Sequence, residues 1–272
     1  MNEQDSLKQL FIVTGEHKRF TEFCDACRRY KYVGICYGLP GIGKTLSARH
    51  YAMWDSIEPN LDKPLLASPI PTLNEAQNLT LFYTAPVIAS PSRIEKELNY
   101  THVNLATMAN SSLKARKRTK EDSFEQMFQK VNLVIVDESD RLKSPGLEQI
   151  RDTYDRSGKG MVLIGMPGIE KRLSRFPQFY SRVGFIHQFK ALGNLEMRFI
   201  LEKKWQDLGL ILNICNANDN ESMAAVIRIT RGNFRLIDQL MMQIERLMRI
   251  NNLKTITKEV VEAARECLII GR

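Results

Sequence analysis

The sequence predicts an α/β fold, a parallel sheet covered by helices and followed by a small, wholly helical C-terminal domain. Three observations lead there. Short β-rich apolar runs alternate with helix-compatible stretches as far as Phe189. Beyond Phe189 the strand-like runs stop, and apolar residues recur at three- and four-residue spacings. Between the first strand-like run and the next helix lies a glycine-rich segment, Gly38-Leu39-Pro40-Gly41-Ile42-Gly43-Lys44-Thr45.

Taken in order, "FTEFCDACRRY" is a helical stretch before the first strand, "YVGICYG". A helix opening on "TLSARHYAMW" follows the glycines. Residues 56 to 78 are rich in Pro, Asn and Ser and predict an irregular insertion. "LTLFYTAPVIAS" is the second strand with its exit loop, and "SPSRIEKELNYTHVNLATMANSS" a helix. "EDSFEQMFQKV" is helix-like and leads into the strand "VNLVIVD". "MVLIGMPG" supplies another strand, "IEKRLSRFPQFYSRV" a helix broken by Pro177, and "GFIHQF" the last strand. Four amphipathic stretches complete the chain, and the methionines Met241, Met242 and Met248 are expected in the core of that bundle. The expected boundaries are an N-terminal helical segment at 1–32, an α/β core at 33–190 and a helical domain at 191–272.

The glycine-rich segment fits G-x-x-x-x-G-K-[ST] at every fixed position. Glycines suit such a loop because successive backbone N–H groups must converge on phosphate oxygens with no Cβ in the way. Residues Gly38 to Leu46 would therefore enclose the phosphates of ATP. Lys44 would reach the β- and γ-phosphates, and Thr45 would place its hydroxyl on Mg²⁺. The strand "VNLVIVD" ends in Asp137, followed by Glu138, at the strand tips where open α/β sheets bind ligands. Asp137 would hold Mg²⁺, and Glu138 would polarise the water attacking the γ-phosphate.

Composition fits an enzyme with a sizeable core: 272 residues, 43% hydrophobic and 26% charged. No segment is long and apolar enough to span a bilayer, and the N-terminus "MNEQDSLKQL" is polar and acidic where a secretory signal is basic and then apolar. The expected location is the cytoplasm, with no membrane partner. Five cysteines at irregular spacing, with no second pair at zinc-ligand distance from Cys24-x-x-Cys27, argue against a metal or disulfide framework. The isolated His102 and His187 are expected to be structural. A net charge of +8 and a pI near 9.2 go beyond what a nucleotide site requires. The basic excess is concentrated in "LKARKRTK", where Lys114, Arg116, Lys117, Arg118 and Lys120 form a candidate grip on a phosphodiester backbone. The alternative is a solvated helix face. With no base-reading signature, double-stranded DNA held through its backbone is the expected partner.

The order of these motifs resembles the AAA+ ATPases, which pair a phosphate-loop α/β core with a C-terminal helical lid and act as rings or filaments. Within that superfamily, "GLPGIGKT", "SARHYA", "VIVDESDRL" and "LIGMPGIEKRLSRFPQFYSRVGFIHQF" look most like the ATPase subunits of DNA transposons, the TniB and TnsC type related to MuB and IstB. The resemblance implies that Arg182 reaches the γ-phosphate of a neighbouring subunit, with Arg175 as the nearby alternate. It also implies that Arg235, in "RGNFR", contacts the phosphates from the lid, with Gly232 and Asn233 shaping the start of its helix. One departure stands out. The tip of the strand "MVLIG" usually carries a polar side chain that orients the attacking water, and here that place falls on Met166. Slow hydrolysis, or a side chain supplied from another segment, would follow.

The resemblance implies an ATPase that assembles with ATP on double-stranded DNA and presents it to a transposase, hydrolysis dismantling the assembly. A replication ATPase such as a helicase or clamp loader uses the same parts. A signalling switch that binds nucleotide but no DNA is the third reading.

Overall fold

Five strands, β1 (Val33–Tyr37), β2 (Leu79–Thr84), β3 (Val131–Asp137), β4 (Gly160–Gly165) and β5 (Val183–Gln188), pair in parallel in the order β2-β3-β4-β1-β5. The computed structural model describes residues 11–62, 79–88, 90–114, 130–213 and 216–268. β4 is buried at all six positions and β1 and β3 at nearly all of theirs, as apolar strands covered on both faces should be. Among the described residues β5 pairs with β1 alone, and its burial alternates residue by residue, the pattern of an edge strand with one solvated face. Because β4 intervenes between β1 and β3, its C-terminal tip lies between the strand that feeds the glycine loop and the one that ends in Asp137.

The helices of this α/β unit are α1 (Gly15–Tyr30), α2 (Lys44–Tyr51), α3 (Trp54–Ile57), α4 (Pro91–Lys114), α5 (Ser144–Ser157), α6 (Ile169–Leu173) and α7 (Pro177–Tyr180). α1 packs so closely on the sheet that only glycine fits beneath it. A Cβ on Gly160 would lie 2.4 Å from the Cys27 carbonyl oxygen, and one on Gly34 would lie 2.4 Å from the Cys27 Sγ. Cys24 and Cys27 are fully buried there, and burial pushes the Cys27 thiol up to about 12, so neither has the thiolate character of a redox pair. His187 stacks on Phe23 with ring centroids 5.3 Å apart, and the His102 Nε2 lies 2.7 Å from the Lys159 ammonium.

Two local expectations are corrected. The irregular insertion starts later than residue 56, because α3 and a 3₁₀ turn at Glu58–Asn60 form first, driven by the burial of Trp54 and Ile57 at 3% and 1% exposure. Residues 63–78 lie outside the described residues, as do residues 121–129 of the helix-like stretch before β3. Pro177, by contrast, does what its chemistry dictates: α6 ends before it, and α7 starts with it in the first turn, where its missing N–H costs nothing.

The second unit groups Leu39–Gly43 and the N-terminal residues up to Glu16 with Lys190–Arg272. It contains α8 (Asn194–Asp207), α9 (Ala217–Thr230), α10 (Phe234–Ile250) and α11 (Lys258–Glu266). Their apolar faces meet in a core built around Trp205, Leu201, Val226, Leu240, Ile244 and Val261. Met241 and Met248 join that core, but Met242 does not. It is 64% exposed, since one step along a helix turns a side chain about 100° away from its buried neighbour.

Candidate functional site

The glycine loop leaves β1 at Tyr37 and ends where Lys44 starts α2. Gly41 and Gly43 take φ values of +78° and +103°, in the region that an L side chain strains to adopt. Such turns expose backbone N–H groups toward one point, the arrangement that suits an anion at a helix N-terminus.

Within the α/β unit, the Lys44 ammonium donates to the Gly38 carbonyl at 2.7 Å. An amine folded onto its own loop is a cation holding a weak acceptor that a phosphate oxygen can replace. Burial pushes its pKa down, opposed by the nearby Cys36, Asp137, Glu138 and Asp140. The Thr45 hydroxyl donates to the Asp137 Oδ2 at 2.7 Å, which brings the two expected magnesium ligands together. Asp137 is 3% exposed and its Oδ1 accepts the Glu138 N–H at 2.9 Å. Burial raises its pKa, and the Thr45 and Glu138 hydrogen bonds oppose the rise by favouring the carboxylate. The donor set is all oxygen, a hydroxyl and a carboxylate, which is the chemistry Mg²⁺ prefers. Leu46 is 54% exposed on the first turn of α2.

Glu138 follows with φ +54° and ψ +36°, left-handed for a residue that has a Cβ. Strain of this kind costs on the order of 1–3 kcal/mol and survives where surrounding contacts impose it. Arg141 lies beside Glu138: its Nη2 is 3.5 Å from the Glu138 Oε2, while its Nη1 donates to the Ala85 carbonyl at the exit of β2. Sequence reading missed Arg141, although the residue stands inside the quoted motif "DESDRL".

In the second unit, the middle of the glycine loop is tied to the start of α10. The Asn233 side-chain amide donates to the Pro40 carbonyl at 2.8 Å, and the Arg235 N–H donates to the Gly41 carbonyl at 3.0 Å. Asn233 also caps α10, its Oδ1 accepting the Leu236 N–H at 3.2 Å, a contact worth about 1 kcal/mol. A Cβ on Gly41 would meet the Asn233 Oδ1 at 2.5 Å and the Arg235 Cβ at 2.9 Å, so this approach also demands glycine. Gly232, at φ +77°, passes against Leu192, whose carbonyl oxygen a Cβ would reach at 2.4 Å. The sequence singled out the "RGNFR" segment; the bond from Asn233 to the loop had no signal in it.

The two candidate trans arginines differ in their surroundings. Arg182 forms a two-pronged ion pair with Asp155, Nε to Oδ1 at 2.5 Å and Nη2 to Oδ2 at 2.8 Å, and donates to the Gln178 carbonyl. That pairing holds the Asp155 carboxyl below its ordinary range. The Arg175 side chain is exposed, with no ion pair or hydrogen bond among the described residues. In the basic run, Lys114 is the last residue of α4, and Arg116, Lys117, Arg118 and Lys120 lie outside the described residues. No described helix is long and apolar enough to cross a membrane.

A protein from Staphylococcus aureus named "Potential ATP-binding protein" is 46% identical over 269 residues, covering 97% of this chain and 98% of that protein. The RuvB Holliday junction branch migration motor of Thermotoga maritima superposes with a TM-score of 0.56 at 16% identity, covering 96% of this chain and 71% of that one. The Aeropyrum pernix ORC2 protein in its ADP form gives 0.55 at 15% identity, covering 97% and 71%. Both likenesses are of fold. The model of the AAA domain family matches residues 27–173, more than half of the chain and the whole stretch from the end of α1 through the glycine loop, Asp137 and Glu138 to α6, so the chain belongs to the AAA domain family.

Proposed function

We propose that this protein is an ATPase that assembles on double-stranded DNA in its ATP-bound state and regulates DNA transposition by presenting target DNA to a transposase, with hydrolysis dismantling the assembly. The observation that carries the nucleotide half of this reading is the Thr45 to Asp137 hydrogen bond, flanked by Lys44 and Glu138. Lys44 would bind the phosphates, Thr45 and Asp137 would hold Mg²⁺, and Glu138 would accept a proton from the attacking water. Bound Mg²⁺ would supply positive charge to the phosphate oxygens. Asn233 and Arg235 would keep the loop in its anion-ready shape, and Arg235 would add a cation beside it.

The DNA half rests on charge. The net +8 and the run Lys114 to Lys120 suit a phosphodiester backbone, and the motif resemblance to TniB- and TnsC-type subunits supplies the transposase. Binding to random-sequence duplex DNA across a salt series, with ATP, a non-hydrolysable analogue, ADP or no nucleotide, is the test. The expected result is tight, length-dependent binding with the triphosphates only, falling roughly tenfold or more between 50 and 200 mM salt. Absence of DNA binding in every nucleotide state would remove the transposition reading and put the signalling switch in its place.

Assembly enters through the trans arginine. Arg182 is the leading candidate, and to reach a neighbour's phosphate it must leave Asp155. Arg182→Ala is expected to spare nucleotide binding, to lower turnover about a hundredfold or more, and to regain part of it when mixed with Lys44→Ala subunits. Loss of turnover in Arg175→Ala with Arg182→Ala unaffected would move the role to Arg175.

A further inference from the structure

Met166 leaves the tip of β4 with an apolar side chain, yet the peptide group at that tip is bonded on both sides. The Met166 N–H donates to the Asp140 Oδ1 at 3.1 Å. The carbonyl of the same peptide group, that of Gly165, accepts the N–H of Gly38, the first residue of the glycine loop, at 3.4 Å. Asp140 belongs to the 3₁₀ turn Ser139–Arg141 that directly follows Glu138. The turn is itself anchored, since Arg172 of α6 donates from Nη1 to the Asp140 carbonyl at 2.7 Å and from Nη2 to the Leu142 carbonyl. Gly165 allows the approach: a Cβ there would lie 3.0 Å from the Asp140 Oδ1 and 2.7 Å from the Ile169 Cδ1.

We propose that Asp140 is a positioning residue for hydrolysis, a carboxylate that locks the Glu138 turn to the glycine loop through the single peptide group Gly165–Met166. A peptide group is planar and stiff, so a bond to its N–H and a bond to its carbonyl are mechanically one connection. The strained backbone of Glu138 makes that connection consequential. Without the Asp140 carboxylate the turn keeps its Arg172 anchor but loses its tie to the loop, so the Glu138 carboxylate can shift relative to the loop, and a displacement of about 1 Å is enough to lower a turnover rate by one to two orders of magnitude. Nucleotide affinity, which depends on the loop and Lys44, is left in place. The inference rests on the reading of Glu138 as the hydrolytic carboxylate.

The test compares wild type, Asp140→Ala and Asp140→Asn in turnover, in nucleotide affinity and in hydrogen exchange of the Met166 amide. Asp140→Ala is expected to lower kcat about tenfold or more, with nucleotide Kd within about threefold, and to speed Met166 exchange about tenfold or more. Asp140→Asn keeps an acceptor oxygen in place and is expected to return kcat to within about threefold of wild type, with Met166 protected. An Asn variant as impaired as Ala, or Met166 exchange unchanged in Asp140→Ala, would overturn the proposal. If Asp140→Ala does not fold, an unprotected Met166 amide in the wild-type protein overturns it equally. Glu138→Gln, run alongside, separates the two readings: full turnover in that variant sinks the role of Glu138, while the exchange data still report whether Asp140 holds the β4 tip.

Discussion

Lys44→Ala abolishes nucleotide binding, with no saturable signal up to about a hundredfold above the wild-type Kd in a fluorescent-nucleotide titration. The argument is electrostatic. Asp137, Glu138 and Asp140 all lie close enough to bias the Lys44 ammonium, so the site brings at least three carboxylates toward a polyanionic ligand. Lys44 is the cation built into the loop, and its ammonium donates to the Gly38 carbonyl. A unit charge about 4 Å away near a protein surface is worth about 4 kcal/mol, and each 1.4 kcal/mol is a factor of ten in affinity. Removing the ammonium thus costs two to three orders of magnitude. Folding should survive, because a half-buried amine at the end of a backbone loop contributes little to the core. A Kd within about fivefold of wild type, in a variant with an unchanged melting temperature, would sink the assignment of this loop as the phosphate site.

The parts legible in the sequence are those whose physics is local. β1, β3 and β4 are continuous apolar runs because both faces are buried, and a run of that length between turn residues has few other uses. Gly41 and Gly43 announce themselves by their place in the fixed-spacing motif, and both take the positive φ that such a loop requires. α3 was hidden by Pro59 and its polar neighbours, which outweighed Trp54 and Ile57 in a short window. Met242 misled because methionine suits a core and a surface about equally, and only the position of α10 decides which face is which. Asp140, Arg141 and Arg172 could not be assigned from the sequence, since each acts on a carbonyl, an amide or a carboxylate that folding alone brings near. The pairing of Arg182 with Asp155, residues 27 apart, belongs to the same class. Chain spacing marks a motif; it does not show what else a guanidinium touches.

Glu138→Gln is the second large effect, and it divides binding from chemistry. The substitution changes one oxygen to an amide nitrogen, so Asp137, Thr45 and Lys44 keep their bonds and nucleotide Kd should stay within about threefold. Turnover should fall about a hundredfold or more, because a neutral amide cannot accept the proton that the attacking water releases, and that step supplies 10²–10⁴ in rate. The left-handed backbone at Glu138 should tolerate the exchange, since Gln differs from Glu neither in branching nor in size. The ion pair with Arg141 would be lost, and at 3.5 Å with both side chains more than a third exposed it contributes little to stability. In the DNA assay, the triphosphate-bound variant should remain on the duplex after wild type has dissociated. Release as fast as wild type, with turnover abolished, would mean that hydrolysis does not drive disassembly. Turnover at the wild-type rate would mean that another group accepts the proton, and the carboxylates to examine are then the two nearest in sequence on either side of Glu138, Asp137 and Asp140.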